Sequence, residues 1–238
     1  MAAPNTYVLV HGAWHGGWCW ARVAPILESA GHRVHAPTLT GLGDSAALLR
    51  RDIALGTHVD DILRLLRERD LREVVLCGHS YAGMVITGAA DAEPSRLRAL
   101  VYVDAVVPQD GDCALDPLPP ERRALIEERT ARDGDGWKVP PTPAARFGVT
   151  DPRDAAWIDA LCTPHPYRTL AEPIRLSGAH RRVPTKVYVL ASAHSPSAYW
   201  QYHERAAADR GWRAAEVPSG HEMMVTHPRE LAEILLTV

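Results

Sequence analysis

The sequence has little net charge, few cysteines and no long apolar run. Its 26 Lys and Arg against 29 Asp and Glu leave a formal charge of −3, so no basic field gathers a nucleic acid or an anionic membrane surface. The four cysteines, Cys19, Cys77, Cys113 and Cys162, are scattered, and none of their spacings is the C-x-x-C that clamps zinc. Cys77 stands in an apolar run and reads as a small core residue. A reduced, cytoplasmic setting is the simplest expectation for such cysteine usage. The first residues lack the basic and then apolar pattern of a secretory leader. No apolar run reaches the ~18 residues that a membrane helix needs. Repeats and low-complexity tracts are also missing.

What is present is an ordinary globular chain. Its 238 residues suit a single domain, and a chain of this size buries roughly 70–75% of its unfolded surface without help from metal or disulfide. Short β-branched runs at 7–10, 33–36, 73–77, 99–103, 186–191 and 213–217 read as strands. Several are continuously apolar, as parallel strands covered on both faces are. Helical patterns lie between them. Val59, Ile62, Leu63 and Leu66 recur at i, i+3, i+4 and i+7 on one face, and a last helix begins near Pro228, a favoured first-turn residue. This alternation predicts an α/β fold with a doubly wound, mostly parallel sheet. From about 106 to 184 no convincing strand is found, but amphipathic stretches occur at 121–132 and 154–161. The expectation is one domain over 1–238 with a helical cap inserted at about 106–184.

The chemistry centres on Gly78-His-Ser-Tyr-Ala-Gly83. It follows an apolar strand and opens a helix, the context of a G-x-S-x-G type nucleophile elbow, and it nominates Ser80 as a nucleophile. A strand–helix turn with a merely exposed serine is the plainer alternative. A serine hydroxyl needs a base to take its proton. Among twelve histidines, His221 stands on a loop between the last strand and the last helix, where the base follows the nucleophile in chain order. His227, directly before Pro228, is the second choice, and His194 follows the preceding strand, where an acid is usual. The loop after the first strand begins at His11, read as a structural histidine that shapes it. Such a loop can aim a backbone N–H at an oxyanion, with the N–H of Tyr81 as the second donor. Two decoys fall away. His221 and His227 are too far apart for H-E-x-x-H, and Gly41-Leu-Gly43 lacks the lysine of a P-loop. No metal and no nucleotide cofactor are expected.

Val8-Leu-Val-His-Gly-Ala-Trp-His-Gly-Gly-Trp-Cys-Trp20 resembles the opening of the α/β-hydrolases that include plant methylesterases, hydroxynitrile lyases and small bacterial esterases. Pro37-Thr-Leu-Thr-Gly-Leu-Gly43, the Ser80 elbow and Gly220-His-Glu-Met223 fit the same group. The resemblance implies a cofactor-free Ser–His–acid site with the N–H groups of Ala13 and Tyr81 as the oxyanion hole. The lyases carry threonine directly after the first motif histidine and lysine directly after the catalytic histidine. Here those positions are Gly12 and Glu222, which favours ester hydrolysis over cyanohydrin cleavage. The family commonly places an aspartate in the loop after the 186–191 strand, but this chain has Ser192-Ala-His-Ser-Pro196. Asp104, at the end of the strand that follows the nucleophile helix, is the expected acid. Some haloalkane dehalogenases have theirs there, in a stretch resembling Tyr102-Val-Asp-Ala-Val106. The alternatives are that Asp104 caps the next segment, or that Asp110 or Asp112 serves.

The function expected is hydrolysis of small or medium apolar esters, methyl or aryl, with Trp137, Trp157 and Met223 lining the substrate pocket. A lyase, lactonase or cyclase using the same site, and a ligand-binding receptor of the same fold, are the competing readings. The only partner expected is a small-molecule ester, with no nucleic acid and no membrane. The oligomeric state is left open.

Overall fold

Eight strands and nine helices are found in the computed structural model, which describes residues 4–194 and 197–238. The first three residues and the Ser195-Pro196 part of the loop discussed above lie outside the described residues. The strands are β1 (Thr6–Val10), β2 (Arg33–His35), β3 (Val74–His79), β4 (Leu97–Val103), β5 (Lys138–Val139), β6 (His165–Pro166), β7 (Thr185–Ala191) and β8 (Arg213–Val217). Six of them form one sheet in the order β2-β1-β3-β4-β7-β8, and every neighbouring pair is parallel. Parallel neighbours need crossovers. These contain α1 (Ala24–Ser29), α2 (Leu55–Glu68) and α3 (Ala82–Ala92) early in the chain. Then come α4 (Pro120–Asp133), α5 (Pro152–Leu161) and α6 (Tyr167–Ala171), all between β4 and β7. α7 (Trp200–Ala208) links β7 to β8, and α8 (Met223–Thr226) and α9 (Pro228–Leu236) close the chain.

Successive strand residues point to opposite faces, and the core divides accordingly. Val8, Val10, Leu76, Leu100, Tyr102, Tyr188 and Leu190 pack with α2 and α3. Tyr7, Leu9, Val75, Cys77, Val101, Val103, Val187 and Val189 pack with α1 and α9. Both faces of each central strand are therefore dry, which is why the runs read as continuously apolar. The doubly wound parallel sheet is as expected. The connection between β4 and β7 gives no strand to this sheet, but it is not strandless. β5 and β6 pair antiparallel, Lys138 with Pro166 and Val139 with His165. Two-residue strands have no periodicity to read, so sequence patterning misses them.

The chain starts at β1, steps one way to β2, then returns past β1 to β3. The loops leaving the C-terminal ends of β1 and β3 thus diverge, opening the crevice where sites form in open α/β sheets. Among the described residues no helix is long and apolar enough to cross a membrane.

Candidate active site

Ser80 sits in the turn between β3 and α3 at φ 56°, a left-handed conformation that non-glycine residues rarely adopt. Its N–H donates to Val103 O at 3.2 Å, and its C=O accepts from the N–H groups of Gly83 and Val106, each at 3.2 Å. The strained residue is therefore pinned by the adjacent β4 end. In strict register the elbow is G-x-S-x-A, since Ala82 stands two residues after Ser80 and the second glycine comes one later. The glycines answer to close approaches. A Cβ on Gly78 would lie 2.9 Å from Ala82 O, and one on Gly83 would lie 1.9 Å from Val106 O.

His221 leaves β8 on a loop gripped by the β4–β7 connection. Its N–H donates to Phe147 O at 2.8 Å, and a Cβ on Gly220 would lie 2.5 Å from that same oxygen. His221 Nδ1–H donates to Asp104 Oδ2 at 2.5 Å. Asp104 is fully buried at the end of β4, at φ 41°. Its N–H donates to Val189 O at 2.7 Å, and its Oδ1 accepts from the Ala191 N–H at 3.4 Å. Burial raises the carboxyl pKa of Asp104 and lowers that of the His221 imidazole. The hydrogen bond between them opposes both shifts, by favouring a carboxylate beside an Nδ1–H. Asp110 and Asp112 are spent elsewhere, on the N–H groups of Leu176 and Gln109.

The loop after β1 is held by histidines. His11 Nε2 accepts from the Leu39 N–H at 3.0 Å, so its Nδ1–H donates to Gly12 O at 2.8 Å. In a trans peptide the N–H points opposite to the C=O. Fixing the Gly12 carbonyl thus fixes the Ala13 N–H. One residue on, His15 Nδ1–H donates to Ala13 O at 2.7 Å, and the Trp14 N–H donates to His165 Nδ1 at 3.4 Å. Among the described residues neither the Ala13 nor the Tyr81 N–H has an acceptor, and both residues border the cavity that holds Ser80 and His221. Gly12 faces the elbow closely, for a Cβ there would lie 2.8 Å from His79 Nδ1 and 3.0 Å from Ser80 Cβ. Gly12→Ala is therefore expected to push the β1 loop off Ser80 and lower kcat by roughly 10–100-fold with the fold intact, the penalty of an ångström-scale misplacement. Steady-state kinetics beside a thermal melt would check this, and an unchanged kcat would count against the placement of this loop.

A family model described as the alpha/beta hydrolase family matches residues 7–234. The chain belongs to that family. This hydrolase is 43% identical to the "Carbendazim hydrolyzing esterase" of Nocardioides sp. (strain SG-4G), over 96% of this chain and 97% of that protein. It is 38% identical to Methylesterase 2 of Arabidopsis thaliana, over 43% of this chain and 40% of that one. In fold it is similar to an extracellular alpha/beta-hydrolase from a Paenibacillus species, with a TM-score of 0.86, 23% identity and 98% of each chain covered.

The hydrolase cavity measures about 380 Å³ and is walled by Val106, Leu115, Leu118, Ile126, Phe147 and Leu170. Trp137, Trp157 and Met223 are not among its walls. Trp157 stands edge-on to Trp18 with centroids 5.1 Å apart, beneath the Arg22 guanidinium. Trp137 lies under Lys138 Nζ, and Met223 is fully buried in the core on the α1–α9 face. The aromatic side chains that do border the cavity are Trp14, Tyr81, Phe147 and Tyr199, Phe147 being the one phenylalanine of the sequence. Sequence reasoning missed Phe147 and also Tyr199, whose ring stacks on His221 at 5.5 Å and 15°. His194 stacks on His221 too, at 5.5 Å and 30°. Glu222 does not face the cavity. Its carboxylate lies 3.2 Å from His15 Nε2, with both side chains buried; the proximity raises the pKa of His15 and lowers that of Glu222. Donor atoms of His79, His221 and Glu222 lie within 4.8 Å of one another. Most of this set is engaged, since His79 Nε2–H donates to His221 O at 3.0 Å, His221 Nδ1 faces Asp104 and Glu222 faces His15.

Proposed function

We propose that this hydrolase cleaves small and medium esters through an acyl-enzyme on Ser80, with His221 as general base, Asp104 as its orienting acid and the N–H groups of Ala13 and Tyr81 as the oxyanion hole. The observation that carries this reading is the His221–Asp104 hydrogen bond of 2.5 Å beside a strained serine opening into one apolar cavity. The acid fixes the base in the tautomer that leaves Nε2 free to take the Ser80 proton. The esterase relatives support carboxylic-ester chemistry. The apolar walls support methyl or aryl esters, and carbendazim, for whose hydrolysis the Nocardioides relative is named, is the first substrate to try. The cyanohydrin-lyase device has no counterpart here, because Gly12 lacks room for a threonine beside His79 and Glu222 is turned onto His15. Four unpaired cysteines are in keeping with a reducing, cytoplasmic setting.

The test is a fluorophosphonate labelling experiment followed by a panel of aryl esters, methyl esters, carbendazim and mandelonitrile, before and after exhaustive EDTA dialysis. The expected result is one modified residue, Ser80, with ester turnover unaffected by EDTA. Labelling elsewhere, loss of activity restored by zinc or manganese, or cyanide release without ester cleavage would overturn the reading.

A further inference from the structure

We propose that the buried His15–Glu222 ion pair is a positioning strut of the active site, tying the oxyanion loop after β1 to the loop that carries His221. The inference rests on the acyl-enzyme reading above. Its ground is where the two residues stand. His15 lies two residues beyond Ala13 in the first of these loops, and Glu222 directly follows His221 in the second. They are 2% and 1% exposed, and His15 Nε2 lies 3.2 Å from Glu222 Oε2. Neither belongs to the triad, and neither is among the residues lining the cavity. Taking two charges out of water costs free energy that an apolar pair would not, so stability is a poor reason for this pair. His15 also stacks on Trp18, with centroids 5.1 Å apart and 27° between planes, which leaves the ring one orientation.

The charge on the pair follows from proton inventory. His15 Nδ1 faces the carbonyl oxygen of Ala13 at 2.7 Å, and Nε2 faces the carboxylate. Two acceptors need two ring protons, and only an imidazolium carries both. Burial opposes that charge, but the carboxylate more than offsets it and raises the pKa of His15, while that of Glu222 is lowered. One end of the strut acts on Ala13. Its Cα joins two peptide planes, of which His11 holds the first through Gly12 O at 2.8 Å and His15 holds the second through Ala13 O. With both planes fixed, the Ala13 N–H keeps one direction. The other end acts on the base. Glu222 O accepts from the N–H groups of Val225 and Thr226, each at 3.0 Å, so Glu222 starts α8 with His221 at its edge. The elbow joins there as well, because His79, directly before Ser80, donates its Nε2–H to His221 O at 3.0 Å. A Glu222 carboxylate oxygen and one ring nitrogen each of His79 and His221 lie within 4.8 Å of one another. The three loops that supply nucleophile, base and oxyanion donor therefore meet at this pair, and an oxyanion donor is effective only when it is aimed in advance.

The experiment is Glu222→Gln in the full chain, which keeps the side-chain shape and removes the charge that holds the second proton on His15. The readouts are kcat and KM on a small aryl ester, the inhibition constant of an aryl trifluoromethyl ketone, and the ring 15N shifts of His15 at pH 7.5. The ketone adds Ser80 Oγ across its carbonyl and places an oxyanion where the ester would. The expected result is a fall of about 10-fold in kcat, with KM unmoved and the ketone bound weaker by a similar factor, as a small misalignment of the oxyanion donor produces. At pH 7.5 an ordinary imidazole, of pKa about 6.5, is neutral, but His15 should read as an imidazolium in the wild type and as neutral in the variant. An unchanged kcat in the folded variant would overturn the proposal, and so would a fall in kcat with ketone binding unmoved, which marks a merely structural pair. A neutral His15 in the wild type would overturn it as well, and that measurement holds even if the variant does not fold. Ser80→Ala measured alongside separates the two levels. If that variant still turns over ester, the acyl-enzyme reading fails and carries this proposal with it. If it is inert and Glu222→Gln is fully active, only the strut falls.

Discussion

Ser80→Ala is expected to fold normally and to lose ester turnover by about 10⁴-fold or more, leaving only what binding and the two N–H donors supply. The substitution removes one oxygen from a residue whose backbone, not its side chain, is locked into the elbow through Val103, Gly83 and Val106. Its left-handed φ of 56° costs alanine no less than serine, so stability should move little. Asp104→Asn is the companion substitution. An amide NH2 facing His221 Nδ1 favours the tautomer with the proton on Nε2, which cannot accept from Ser80, and kcat should fall by roughly 10²–10⁴-fold. The same substitution relieves a fully buried carboxyl of its desolvation cost, so the variant should keep its melting temperature while losing rate. A thermal melt beside kcat measures both. Asp104→Asn with wild-type kcat would send the search for the orienting acid elsewhere.

Much of this arrangement was legible in the sequence because it rests on local pattern. The β3–Ser80–α3 elbow, the histidine before the last helix and the aspartate ending β4 each occupy a fixed place in an alternating α/β chain. That place, together with the rule that parallel strands end on one edge, is enough to bring Ser80, His221 and Asp104 near one another. The cavity beside Ser80 was not legible, because much of its wall comes from the irregular β4–β7 connection and the loop after β7, where no periodicity assigns a side chain a direction. Trp157 and Met223 are large and apolar like Phe147, yet they turn into the core while Phe147 faces the catalytic loop. The signal available for Phe147 was the glycine after it, since Gly148 sits at φ 80° and a Cβ on it would lie 3.0 Å from Gly220 Cα. Nothing in the local sequence pairs those two glycines across the chain.

Acidification below pH 6 is expected to unfold this protein steeply. His11, His58, His79 and His165 are buried, and desolvation lowers their pKa values, to about 3 for His11 and His79, about 4 for His58 and well below the ordinary range for His165. Three of these rings use an unprotonated nitrogen as an acceptor. His11 accepts from the Leu39 N–H, and His165 accepts from the Trp14 N–H. His58 Nε2–H donates to Thr40 O, so its Nδ1 accepts from the Tyr81 hydroxyl. Protonation would both charge a dry site and break that bond. In the unfolded chain the same histidines titrate near 6.5. Their folded pKa values are depressed, so the stability they contribute is complete above about pH 6.5 and is lost as pH falls from there toward the folded values. Near pH 5 these four imidazoles together hold about four more protons in the unfolded state than in the folded one, a contribution of roughly 5 kcal/mol per pH unit to the slope. Two pH units of that slope approach the whole stability of an ordinary domain, about 5–15 kcal/mol. Lowered Asp91 and Glu222 carboxyls act in the same direction at still lower pH. The histidines concerned hold the Ala13 loop and Tyr81, so the site loses its frame as the fold gives way. Denaturant unfolding at pH 7, 6 and 5, followed by circular dichroism, would measure the effect. A midpoint independent of pH over that range would show that these imidazoles are protonated in the folded protein, and that the buried neutral network described here is wrong.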